Sequence, residues 1–290
     1  MGFTSVKKML EPVGDKPLDE VIMEADLEEA GLTLLESIAH MEMLWDVMVE
    51  GSDQYRPEDR SNSGLTGGDG AKVEAAMEAG ILLGGDYLNQ VTAEALKTAE
   101  CNACMKRIVA APTAGSCGVL PAVLIPLYRA GLYDKESVCR SLTVAAGFGQ
   151  VIAHRATLSG AEGGCQAEVG AASAMAAAAL VYLKGGTREQ CADAAAMALS
   201  NLLGLVCDPV AGLVEVPCVK RNVIGAVGAV AAANMALAGL HSVIPCDEVI
   251  DAMGAVGKKM HSSLRETGLG GLAGTPTGNA LKKQVLSEHE

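Results

Sequence analysis

The sequence predicts an all-α fold, a compact multi-helix domain, and three observations carry that expectation. Apolar residues recur every three or four positions in one segment after another, the spacing of a helix face that packs on a core. Half of the 290 residues are apolar, yet there are only one Trp, five Tyr and two Phe, so Ala, Leu, Val, Ile and Met must fill the interior. Ala and Leu are the strongest helix formers. Strand-like alternation is hard to find, and the run GLGGLAG at 268–274 follows no strand, which excludes a dinucleotide-binding βαβ unit. A chain of this length can bury one large core, and a single domain over residues 1–290 is expected.

Residues 18–49 carry the three-to-four spacing with charges between and read as one or two amphipathic helices. Residues 50–72, EGSDQYRPEDRSNSGLTGGDGAK, have neither helical nor strand period and read as a loop of the length that often carries function. Helices follow at 73–83 and 93–110. Pro112, Gly115, Gly118 and Pro121 then break the pattern. Further helices are expected at 119–130, 135–147, 165–183, 188–203, 218–240 and 247–260, before a closing Gly-rich segment, RETGLGGLAGTPTGNA.

A net charge of −13 without any basic stripe argues against nucleic acid or an anionic membrane surface as partner. The nine cysteines are an odd number and the N-terminus has no apolar leader, so free thiols in a reducing cytoplasm are expected. MGFTSV misses the myristoylation pattern, because Val6 stands where Ser or Thr is needed. Residues 223–245 are nearly free of polar groups, but they are rich in Ala and Gly and contain Asn234, so they read as a buried helix rather than a membrane span.

Three cysteines stand apart. Gly185 and Gly186 end one helix and the Thr187/Gln190 capping box starts the next, so 165–184 and 188–203 form a helical hairpin. At about 1.5 Å per residue the arms nearly match, which returns Cys207 beside Cys165. Asp208, Pro209 and Gly212 turn the chain, Pro217 suits the first helical position, and Cys218 opens the next helix. Cys139, Cys191 and Cys246 lie in ordinary helical surroundings. Cys165 by itself could be a small buried residue, or a thiolate favoured by a helix start. Convergence of three favours a metal: structural zinc normally takes four protein ligands, whereas an iron–sulfur cluster held by three leaves one iron open.

SGAEGGCQAEVGAASAMAAAAL at 159–180, NLLGLVCDPVAGLVEVPCVKRN at 201–222, APTAGSCGVLPA at 111–122 and SNSGLTGGD at 61–69 together resemble the α chain of the iron–sulfur-dependent L-serine dehydratases. The similarity runs from about residue 61 to residue 280, with four motifs in order. The resemblance implies a [4Fe–4S] cluster on Cys165, Cys207 and Cys218, whose open iron binds the hydroxyl and carboxylate of L-serine. Loss of water would give aminoacrylate, which becomes pyruvate and ammonia. Such chemistry suits a Lewis acid, since hydroxide is a poor leaving group.

In SNSGLTGGD the hydroxyls of Ser61, Ser63 and Thr66 and the amides freed by Gly64, Gly67 and Gly68 have the composition of an anion nest. The resemblance places this loop in the active site, on the substrate carboxylate or amine. It likewise places Thr113 near the substrate, with Gly115 and Ser116 beside it, making Thr113 and Ser63 the catalytic candidates. Cys117 is expected to be a small residue in a tight loop. Cys101 and Cys104 form a CxxC that could be redox-active or bind zinc, but they lack a flanking βαβ unit. Glu162 and Glu168 either orient a ligand or start a helix. Lys220 and Arg221 either offset the cluster's charge or are solvated. His154 reads as structural, and the base that takes the α-proton has no candidate. Single-chain members of the family carry a further domain, which two-chain members hold as a separate β chain, so a β-chain partner is implied. The alternatives are a cluster-dependent lyase acting on threonine or cysteine, and a non-catalytic metal-binding helical module.

Overall fold

The computed structural model describes residues 2–11 and 13–287, and among these there are thirteen α-helices and no β-strand. A short α1 (Val6–Met9), not expected from the sequence, is capped by the Ser5 hydroxyl. The 18–49 region is two helices, α2 (Leu18–Ala30) and α3 (Leu34–Asp53), separated where Gly31 turns left-handed and Thr33 forms a capping box with Glu36. α3 outruns the expected helix because Gly51 and Ser52 are buried in its last turn, and the loop shrinks to 54–68.

α4 (Asp69–Glu78) starts earlier than expected. The buried Glu100 carboxylate accepts from the amides of Asp69 at 2.8 Å and Gly70 at 3.2 Å, replacing a local cap. α5 (Gly85–Ala103) begins eight residues ahead of expectation and ends at the CxxC, and Tyr87 near its start donates to the Val123 carbonyl at 2.9 Å. α6 (Val119–Arg129) lies as expected, whereas α7 (Lys135–Arg155) continues past Gly147. That glycine is needed for packing: a Cβ there would stand 2.6 Å from Ile22 Cδ1.

A single-turn α8 (Gly160–Gly163) precedes Cys165, and residues Gln166–Gly170 then form a π-helical turn before α9 (Ala171–Leu183) begins. Cys165 therefore does not head a regular α-helix. The hairpin is present: α10 (Arg188–Ser200) starts at the Thr187 capping box and packs along α9. α11 (Cys218–Leu237) and α12 (Cys246–Lys259) each lie within a few residues of expectation. The Gly-rich tail contains a helix the sequence reading missed, α13 (Pro276–Ser287), whose Thr275 hydroxyl accepts from the Gly278 amide.

α9 is the axis of the core. Ala171 to Ala179 are all buried, and α6, α7, α10 and α11 pack against it, because alanine side chains let helices approach closely. The Ser173 hydroxyl donates to the Gly225 carbonyl at 2.7 Å, joining α9 to α11. Residues Gln166–Leu183 are the one stretch among those described that is long and apolar enough to cross a membrane, and 83% of it is buried inside the protein. Residues 223–245 are instead split between α11 and an irregular link to α12. Phe148 of α7 is fully buried in the core. Its replacement by alanine is expected to cost about 3–5 kcal/mol, measurable as a lower urea midpoint.

Candidate active site

Cys165, Cys207 and Cys218 are free, buried thiols brought together at one end of the α9–α10 hairpin. Cys165 and Cys207 pack in one small cluster with Val169, Leu202 and Leu205, and the Gln166 amide donates to the Leu205 carbonyl at 3.0 Å. Cys207 lies on an extended stretch bridged to the tail: its amide donates to Leu264 O at 2.8 Å and its carbonyl accepts from the Glu266 amide at 2.7 Å. Cys218 opens α11 beneath them.

Burial pushes the Cys165 and Cys218 thiols up to about 12, and Arg221 opposes this at both. Burial also raises Cys207, and Cys165, Glu168 and Cys218 add to the effect, so the three thiols lie within each other's electrostatic reach. Cys165 precedes a π-helical turn rather than a regular α-helix, and burial is the largest influence on its thiol. Among the described residues no three His, Cys, Asp or Glu side chains could share one metal ion, and this includes Cys101 and Cys104.

Glu168 links this group to the APTAGSCG loop. One carboxylate oxygen accepts from Thr113 Oγ1 at 2.8 Å, and the other faces Cys207 Sγ at 3.9 Å. Burial raises its pKa while the Thr113 hydrogen bond lowers it. Ser116 Oγ lies 3.1 Å from Thr113 Oγ1. Gly160 and Gly115 give the carboxylate room: a Cβ on Gly160 would stand 2.5 Å from Glu168 Oε2, and one on Gly115 would stand 3.0 Å from Oε1.

The SNSGLTGGD loop meets the segment between Cys207 and Cys218. Ser61 Oγ and Ser63 Oγ both donate to Glu215 Oε2, at 2.7 and 2.6 Å. The amides of Gly64, Leu65 and Thr66 bond within the loop, to Ser61 O, Ser63 Oγ and Ser61 Oγ respectively. The serine hydroxyls and these three amides are thus engaged, rather than open as an anion nest would be. Thr66 is buried, and Gly67 has a φ of +131° with no space for a Cβ, which would stand 2.2 Å from Asp59 O.

Four residues to which the sequence reading gave no role in the site hold it. Gln166, fully buried, donates to Gly163 O and Met253 O and accepts from the Gly204 amide. Asn222 accepts from the Gly118 amide at 2.9 Å and donates to Gly115 O at 2.8 Å, tying α11 to the Thr113 loop. Asp208 pairs with Arg221 at 2.8 Å and accepts from the Leu272 amide. Glu215 receives the two serines. Asp208 and Glu215 are lone carboxylates in apolar runs, the one signal the sequence offers for them, whereas Gln166 and Asn222 sit beside other polar residues and carry none. Lys220 and His154 are exposed, and Glu162 accepts from Thr157 Oγ1.

The family model described as serine dehydratase alpha chain matches residues 15–273. The chain is 48% identical over 286 residues to a probable L-serine dehydratase, alpha chain, of Bacillus subtilis, covering 98% of this chain and 95% of that protein. It is 43% identical over 270 residues to the L-serine dehydratase, alpha chain, of Peptoniphilus asaccharolyticus, covering 93% and 92%. Against L-serine dehydratase 2 of Escherichia coli it is 46% identical over 196 residues, covering 65% of this chain and 41% of that protein. A match this long, with the four motifs folded onto one site, means that the chain belongs to the serine dehydratase α-chain family.

Proposed function

We propose that this chain is the α subunit of an L-serine ammonia-lyase, that it holds a [4Fe–4S] cluster on Cys165, Cys207 and Cys218, and that it works in the cytoplasm with a separate β chain. The observation that carries this reading is the convergence of three buried thiols beside Glu168 in a chain of this family. The donor set fits such a group: all three are sulfur, all are shielded from bulk water, and Arg221 offsets charge at Cys165 and Cys218. When bound, the cluster supplies a Lewis acid for departure of hydroxide from the serine β-carbon.

The remaining work falls to the chain's own side chains. Glu168 fixes the Thr113 hydroxyl, and Thr113 and Ser116 orient the substrate beside the thiols. Ser61, Ser63 and Glu215 make an anionic, hydroxyl-bearing patch, which suits the substrate's ammonium group better than its carboxylate. Gly64, Thr66 and Gly67 set the shape of that loop, and Gly115 leaves space beside Glu168. Loss of water from serine leaves aminoacrylate, whose hydrolysis yields pyruvate and ammonia. The base that takes the α-proton is assigned to the β chain.

Anaerobically purified chain is expected to be brown and to contain iron and labile sulfide in equal amounts. With its β chain it should form pyruvate from L-serine, and without it very little. Colourless protein with stoichiometric zinc, or full activity from the isolated chain, would overturn the corresponding part of this reading. Faster turnover of threonine or cysteine would redirect the substrate assignment.

A further inference from the structure

The cavity between the end of α7, α8, α12 and residues 262–267 has a volume of about 670 Å³, within the range of about 300–1,000 Å³ typical of small-molecule sites. It lies against the back of the thiol site. Residues 264–266 run alongside Cys207, with the Cys207 amide donating to Leu264 O and its carbonyl accepting from the Glu266 amide. Glu266 acts electrostatically on Cys207 and Glu168, whereas Arg265 lines the cavity.

The cavity's charges are unevenly committed. Arg155 holds Asp251 with two bonds, at 3.1 and 2.6 Å, and Glu162 accepts from Thr157 Oγ1 at 2.7 Å. Lys258 and Arg265 remain without an ion pair among the described residues. Arg265 makes one long bond, 3.5 Å to Glu162 O, and its Nε is buried with no hydrogen-bond partner. A buried guanidinium N–H left unpaired is costly, and a planar guanidinium beside an ammonium matches a carboxylate or phosphate group.

We propose that this cavity binds a small organic anion bearing a carboxylate or phosphate group, held by Arg265 and Lys258. Its volume is too large for a bare inorganic ion to fill, and its position across the 264–266 segment from the thiols makes the ligand an effector rather than the substrate. A ligand tied to Arg265 steadies the segment that pairs with Cys207. Binding itself does not depend on the dehydratase reading.

The test is isothermal titration calorimetry on the full chain, with citrate for the carboxylate arm and glycerol 2-phosphate for the phosphate arm. At least one should bind with one equivalent and weaken as salt is raised. Arg265→Gln and Lys258→Gln should each weaken it at least tenfold, while Glu168→Gln leaves it unchanged. Because Lys258 is exposed, its variant keeps the test decisive if Arg265→Gln does not fold. Binding of neither probe overturns the proposal, as does an affinity that Lys258→Gln leaves intact. So does equal loss in Glu168→Gln, which would put the anion in the thiol site.

Discussion

Replacing Cys165, Cys207 or Cys218 by serine will strip the chain of iron and abolish pyruvate formation, whereas the same change at Cys139, Cys191 or Cys246 will leave the iron content unchanged. A serine hydroxyl is a far poorer ligand for iron than a thiolate, and removing one of only three protein ligands leaves two. The control cysteines are also buried, but they lie in α7, α10 and α12, apart from the group around Glu168. Serine there places a hydroxyl in an apolar setting and costs about 1–3 kcal/mol of stability. Iron and sulfide per chain, measured after anaerobic purification, separate the two classes. Equal loss at all six positions would mean that the effect is on folding and that the convergence selects nothing.

Glu168→Gln is the second large effect. The carboxylate accepts the Thr113 hydroxyl at 2.8 Å, and hydrogen bonds to charged groups are worth about 1.5–3 kcal/mol, so kcat should fall about 10- to 100-fold. Iron content should hold, because Gln fills the same volume. Glu168 acts through Thr113 as a positioning residue, which gives a signature that a purely structural role lacks. Thr113→Val should cost a similar factor, and the double variant should lose little beyond the worse single one. Additive losses would show that the two act separately, and loss of iron from Glu168→Gln would make it part of the cluster's support instead.

The helical class, the hairpin and the meeting of Cys165 with Cys207 were legible because local rules set them. The Thr187 cap reaches three residues to Gln190, and Gly185 turns with a φ of +75°, interactions that a short window of sequence contains. The Thr275–Pro276 start of α13 was equally local, a cap followed by proline, but its glycine-rich surroundings hid it. The π-turn after Cys165 carried no local mark at all. Nor did the early starts of α4, which rests on Glu100 thirty residues away, and of α5, whose first turn contains Tyr87 bound to α6.

The same division runs through the site. Composition, charge and motif order determined the class of protein and which segments matter, since those depend on residue types in sequence. Only the tertiary structure decided what each polar group does. Ser61 and Ser63 find Glu215 across more than 150 residues, and Thr113 finds Glu168 across 55. A buried hydroxyl or carboxylate must have a partner, and the sequence states that need. Which partner meets it depends on how distant helices pack, so the serines that looked open to an anion proved to be holding a carboxylate of the chain itself.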